Sequence, residues 1–231
     1  MRTTKERIML AALKLFAKDG YEAVSVSAIA GRLGITKGAL YKHYKNKRDI
    51  FDSIVAHMRE RDMERAKEFG VPERSFSIGT AEAYRNTSME KIKTFSIAQF
   101  RYWTEDEFAS SFRKMLTLEQ YRNRDMANLL RQYLTGGVIA YTQDLMREMT
   151  ELSPGSDKDP QILALEYFAP IYMMMNLCDG MENKENAIQM VEKHIAYFME
   201  SLNLDAVSGV TTSSKATLKA IENAIQSGEN G

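Results

Sequence analysis

Six side chains in one short stretch have the chemistry to hold a polyanion: Thr36, Lys37, Tyr41, Lys42, His43 and Lys47. Ammonium groups donate to phosphate oxygens or to guanine O6 and N7, and hydroxyls donate to phosphates. Gly38, among them, lets the backbone come close to a phosphate or to a neighbouring helix. Nothing comparable supports catalysis. The histidines are His43, His57 and His194, and none has a second His or a Cys at i+3 or i+4. Glu60 follows His57 by one turn, a pairing that reads as a solvated helix face. There is no Gly-rich phosphate loop and no nucleophile elbow. The sequence therefore gives no reason to expect an enzyme, a metal site or a cofactor. Cys178, the one cysteine, reads as a packed thiol, which rules out an intrachain disulfide and suits a reducing compartment.

Two helical patterns must position the cationic group. Val26, Ile29, Ala30 and Leu33 recur at helical spacing, with Ser25 before them to cap the first free N–H groups. Gly34 ends that helix. Ile35 plugs the space beyond it, and Thr36 caps a second helix expected over Lys37–Tyr44. Leu40 and Tyr44 face inward, and Lys37, Tyr41, Lys42 and His43 face outward. Two short helices around a glycine turn, the second exposing cations and hydroxyls, form a helix-turn-helix pattern. The major groove of B-DNA, about 12 Å wide, admits one such helix, whose N-terminal end reaches the base edges. The DNA-facing set is thus Ser25, Thr36, Lys37, Gly38, Tyr41, Lys42, His43 and Lys47. On spacing alone, a helical hairpin with a solvated basic face remains open.

Gly20-Tyr21-Glu22 and the run VSVSAIAGRLGITKGALYKHYKNKRDIF resemble the DNA-binding domain of the TetR/AcrR family of bacterial transcriptional regulators. The likeness rests on Gly20, Ile29-Ala30, Lys37-Gly38, Tyr41, His43-Tyr44 and Asn46-Lys47, and covers about the first 55 residues. Tyr44 stands where the family usually has Phe, and Ala28 where an acidic residue is common. The resemblance implies double-stranded operator DNA as partner. It also implies a fourth helix that carries movement between body and reading head, an inducer pocket in the body, and a homodimer.

The remaining chain is read as helices throughout, an all-α fold. An N-terminal helix-turn-helix domain over 1–46 is followed by a connecting helix over 47–69. A helical effector-binding and dimerisation domain over 70–202 comes next, then a tail over 203–231. The formal net charge is zero. Residues 1–60 nevertheless hold 12 Lys+Arg against 6 Asp+Glu, leaving 19 against 25 for the rest. A basic head on an acidic body fits one end facing a polyanion. No apolar run is long enough to span a membrane, and the first residues lack a signal-peptide core, so the cytoplasm is expected.

Thr3 and Glu6 have capping-box spacing for the first helix, as do Thr104 and Glu107 for a later one. Asn46 caps the connecting helix, whose charged run after Met58 reads as an exposed connector. Residues 70–79 read as a linker, and 153–159 as a loop. Gly136-Gly137 interrupts a long pattern over 124–152, with close packing favoured there over a bend. Asp159-Pro160 and Asn183 open the last two main helices. The sequence contains 15 Met, which adapt to varied apolar partners. Phe100, Trp103, Phe112, Met115, Leu116, Tyr141, Phe168, Tyr172 and Met175 are the candidates for a cavity that takes a small apolar or amphipathic effector; plain core is the competing reading. The last two helices are apolar around much of their circumference, which calls for cover on two sides. A homodimer through Leu165, Tyr172, Ile188, Val191, Ile195 and Phe198 would supply it, with burial inside one chain as the alternative. The expected function is a ligand-responsive regulator, more readily a repressor, with an effector-independent architectural DNA-binding protein as the alternative.

Overall fold

The first helix, α1 (Thr4–Asp19), is fixed at both ends by its own sequence. Thr3 Oγ1 accepts the Glu6 N–H at 3.2 Å, and Glu6 Oε2 accepts the Thr3 N–H at 2.8 Å. This reciprocal cap satisfies two donors that the helix cannot. Gly20, at φ +86°, ends it. Ile8, Ala12 and Phe16 are wholly buried beneath it. The computed structural model describes residues 3–69, 89–151 and 158–202. The linker expected at 70–79, the loop at 153–157 and the tail at 203–231 lie outside these residues.

Helices α2 (Val26–Arg32) and α3 (Lys37–Tyr41) follow, separated by Gly34 at φ +67°. Ser25 Oγ accepts the Ala28 N–H, and Thr36 Oγ1 accepts the Ala39 N–H, each at 3.1 Å. The second helix is shorter than the expected Lys37–Tyr44. Past Tyr41 the backbone tightens, and the Leu40 carbonyl accepts both the His43 N–H (2.9 Å) and the Tyr44 N–H (3.2 Å). Tyr44 is thereby turned inward, where its hydroxyl donates to the Lys5 carbonyl at 3.1 Å.

Asn46 Oδ1 accepts the Asp49 N–H at 2.8 Å and starts α4 (Lys47–Phe69). Ile50, Phe51, Ile54 and Met58 are buried as their spacing predicts. The charged run beyond them is no free connector. Arg61 makes a two-pronged bond to Asp106, at 3.1 and 2.8 Å. Arg65 lies 4.1 Å from the Tyr102 ring centre and donates to the Ala98 carbonyl at 3.2 Å. Guanidinium stems cover apolar surface while their charged heads find partners, so a run that looks solvated becomes an interface.

The body contains α5 (Met89–Glu105), α6 (Glu107–Glu119), α7 (Arg124–Leu134), α8 (Gly136–Glu151), α9 (Pro160–Leu177) and α10 (Glu185–Ser201). The expected Thr104–Glu107 capping box does not form. Thr104 lies in the last turn of α5, its hydroxyl bonded to the Phe100 carbonyl at 2.8 Å. Asp106 is the cap, accepting the Phe108 and Ala109 N–H groups at 3.0 and 2.9 Å. A carboxylate two residues nearer the helix, held in place by Arg61, wins over the threonine. Asp159 Oδ1 accepts the Gln161 N–H at 2.8 Å, as expected. Asn183 Oδ1 accepts the Glu185 N–H at 2.9 Å, although Lys184 holds the cap position itself.

The Gly136-Gly137 pattern is a break between two helices, pivoting on Thr135 at φ −133°, ψ −100°. Close approach accompanies it: a Cβ on Gly137 would clash with the Gln132 carbonyl oxygen. One continuous core runs from Ile8 in α1 to Phe198 in α10. Helix α1 packs along α6, α4 lies against α1, and α5 lies between α6 and α10. In the body, Arg113 is wholly buried and bonds the Trp103 carbonyl (3.3 Å), Asn176 (3.1 Å) and Asp179 (2.5 Å). Each bond offsets part of the cost of taking a cation out of water.

Candidate nucleic-acid interface

The exposed surface of α3 is built from beneath. Leu40 and Ile29 are wholly buried, and Tyr44 nearly so, which pins α3 to α1 and α2. The opposite surface faces out: Thr36, Lys37, Gly38, Tyr41, Lys42 and His43 are all exposed. Lys37 Nζ lies 5.7 Å from the Tyr41 ring centre, so cation and phenol share one side of the helix. Lys42 and His43 occupy the turn after α3, where Lys45 and, at the end of α2, Arg32 add exposed cations. Ser25 is also exposed while its hydroxyl caps α2. The face offers donors and cations on a helix narrow enough for a major groove.

Lys47 departs from this set. Its ammonium donates to the Tyr21 carbonyl at 2.8 Å and the Glu22 carbonyl at 3.3 Å, and lies 4.3 Å from the Tyr21 ring centre. Those partners make it a brace between α4 and the chain after α1. Tyr21, which the spacing did not single out, is the hub. It meets Phe16 and Phe51 edge-on, at ring-centre distances of 5.0 and 5.5 Å. Burial, and then the Glu22 charge, push its phenol above the ordinary value, so it stays a neutral packing group. Arg48 ties the same unit to α7 through Asp125 at 2.8 Å.

The cavity candidates gather in the body. Phe100, Trp103, Phe112, Met115, Leu116, Phe168 and Met175 are buried in the common core, while Tyr141 and Tyr172 are half-buried at its edge. The interface candidates divide. Ile188, Val191, Ile195 and Phe198 are buried within the chain, since the inner stripe of α10 already packs on α5 and α9. Leu165 is exposed and Tyr172 half-buried. The outward apolar face instead comprises Ile162, Leu165, Met173 and Leu177 on α9, with Met190 and Tyr197 on α10. His194 is half-buried against α9, its Nε2 2.9 Å from the Tyr167 carbonyl oxygen. Cys178 is wholly buried, and burial raises its thiol above the ordinary range. Among the described residues, no group of three His, Cys, Asp or Glu is placed to hold a metal ion. Among the same residues, no helix is long and apolar enough to cross a membrane.

Residues 8–54, which span α1 to the first part of α4, match the family model for bacterial regulatory proteins of the TetR family. The chain carries a TetR-family domain. That TetR-family domain is 41% identical over 51 residues to the HTH-type transcriptional regulator AcrR of Shigella flexneri, covering 22% of this chain and 24% of that protein. It is 41% identical over 56 residues to the HTH-type transcriptional repressor BepR of Brucella suis biovar 1, covering 24% and 27%. The matches thus span about a quarter of the length of these curated relatives. The likeness of fold extends further than the TetR-family domain. A transcriptional regulator of Saccharomonospora viridis, solved with choline, superposes with a TM-score of 0.59 at 18% identity, covering 85% of this chain and 95% of that one. SmeT, the repressor of the Stenotrophomonas maltophilia multidrug efflux pump SmeDEF, does so with a TM-score of 0.53 at 20% identity, covering 85% and 90%.

Proposed function

We propose that this chain is a ligand-responsive transcriptional regulator, acting in the cytoplasm as a homodimeric repressor on a palindromic operator. The observation that carries this reading is the outward set on α3 and its two ends: Thr36, Lys37, Gly38, Tyr41, Lys42 and His43 are exposed together on a helix and turn held from below. Each copy would insert α3 into one major groove, with half-sites about one helical turn or more apart. Lys37 and Tyr41 are assigned base or phosphate contacts, Ser25 a phosphate contact, and Lys47 the bracing of α4. The apolar face of α9 and α10 is assigned to the second copy. A small apolar or amphipathic effector in the body would act by preferring a head spacing that does not match the operator. The choline complex of one structural neighbour and the triclosan complex of SmeT support an effector of small-molecule size.

The test is fluorescence anisotropy on DNA from the chain's own promoter region, with unrelated DNA as control at one fixed salt concentration. A regulator binds the promoter fragment at least about 10³-fold more tightly than the control. Equal affinities for the two would leave only electrostatic, non-specific binding and refute the reading.

A further inference from the structure

A cavity of about 350 Å³ lies outside the body core, where α1, α4 and the start of α6 meet. Met9, Leu10 and Phe108 supply its apolar lining. Its polar lining is lopsided, with the carboxylates of Glu6, Asp106 and Glu107 set against one guanidinium, Arg61, beside the His57 ring. Asp106 and Arg61 neutralise each other through their paired bonds of 3.1 and 2.8 Å. The imidazole of His57 is turned edge-on to Phe108, with ring centres 4.8 Å apart. Glu6 and Glu107 remain. Glu6 accepts one backbone N–H, and a carboxylate has room for about four donors. Glu107 meets Lys14 at 2.5 Å, but both side chains are at least half exposed, so water competes for that pair.

We infer that this cavity is a second effector site, one that takes a small organic cation with an apolar tail. Its ammonium would lie against Glu6 and Glu107, displacing Lys14 from the latter, and its tail along Leu10 and the small exposed edges of Met9 and Phe108, whose ring face Arg61 already covers. A volume of about 350 Å³ falls in the range of small-molecule sites, which are apolar with a few placed polar groups. An anion would meet the Glu6 carboxylate, the exposed Glu107–Lys14 pair and an Arg61 whose terminal nitrogens are already committed to Asp106. The placement gives the site a consequence. Helix α1 leads through Gly20 into α2 and α3, while α6 belongs to the body, so a ligand between α1 and α6 changes the position of the α3 face. This regulatory half rests on the function proposed above; the binding half does not.

The test uses the full chain and hexylammonium chloride, with sodium hexanoate as counter-probe at equal ionic strength, followed by calorimetry. Hexylammonium binds saturably and more tightly than hexanoate. Glu6→Gln and Glu107→Gln each weaken it about fivefold, the factor that a unit charge at contact distance in water supplies. Leu10→Trp fills the cavity and abolishes binding. Glutamine still serves in a capping box, so Glu6→Gln keeps α1 intact even if Leu10→Trp fails to fold. Hexanoate binding as well as hexylammonium, or unchanged affinity in both carboxamide variants, overturns the site. Saturating hexylammonium should then lower affinity for the promoter fragment at least fivefold, and should not do so in the Glu6→Gln, Glu107→Gln double variant. Unchanged DNA affinity at saturation overturns the coupling. Failure of the unliganded chain to bind that fragment at all counts against the proposed function, while the calorimetric result still decides the site.

Discussion

Lys37 and Lys47 are both lysines of the helix-turn-helix region, yet they do different work, and substitution separates them. Lys37 is exposed on α3. Lys37→Ala should cost about 1–3 kcal/mol of operator binding with relaxed specificity if it reads a base; if it meets only phosphate, affinity falls evenly across sequences and the salt slope drops by about 1. Lys47 is spent on the carbonyls of Tyr21 and Glu22. Lys47→Ala should therefore lower unfolding stability in urea by roughly 1.5–3 kcal/mol, the worth of charged hydrogen bonds, and leave the salt slope alone. The caps at Thr3, Ser25 and Thr36 were legible in the sequence because their partners lie three residues away. The role of Lys47 was not, because Tyr21 is 26 residues distant and only the fold brings its carbonyl within reach. Gly20 is strict through its backbone, where Gly137 is strict through close approach. Gly20 holds φ +86°, ψ 151°, a region open to glycine almost alone, and an added Cβ would stand 2.7 Å from Glu119 Oε1. Gly20→Ala should destabilise by about 1–3 kcal/mol from backbone strain, with the contact in addition. Adding Glu119→Ala should relieve the contact and leave the strain, so chemical unfolding of the double variant shows how the two divide.

The elements whose starts the sequence misplaced are those fixed by long-range partners. Thr104 and Glu107 have the spacing of a cap, but Asp106 caps α6, because Arg61 of α4 and two backbone N–H groups converge on that carboxylate. The same bonds make the junction sensitive to acid. Burial alone would raise the Asp106 carboxyl; the Arg61 and backbone hydrogen bonds outweigh it and hold the carboxyl below its ordinary value. A carboxylate depressed in the folded state stabilises fully above its unfolded pKa, about 3.9, and that contribution is lost as pH falls through the lower folded value. Asp106→Asn should thus be less stable than the parent at neutral pH, and the gap should narrow steadily below about pH 4. Urea titrations across that range check it, and a gap independent of pH would mean that the charge on Asp106 is idle. The shortening of α3 has a similar origin. Nothing in residues 42–44 forbids helix, but the Tyr44 hydroxyl is drawn to the Lys5 carbonyl across the core.

At the scale of the molecule, the apolar excess of the last two helices was legible, but its division between core and outer face was not. Composition cannot say which stripe of α10 meets α5. The structure buries Ile188, Val191, Ile195 and Phe198 there, and leaves Ile162, Leu165, Met173, Leu177, Met190 and Tyr197 facing out. Exposed large apolar side chains gathered on two packed helices favour an association surface, and a two-fold axis through it would pair the same patch on both copies. The two stripes therefore make opposite predictions. Leu165→Glu places a charge in the outer face without disturbing the interior. It should shift the sedimentation of the purified chain from dimer toward monomer, and make operator binding depend more steeply on protein concentration, since both half-sites must be filled. Ile195→Ala removes a wholly buried side chain. It should cost about 2–5 kcal/mol of unfolding stability and leave the dimer intact at concentrations where the chain stays folded. A Leu165→Glu chain that sediments as the parent does would move the two-fold axis away from α9, and the spacing of the two α3 helices would then have to come from another face.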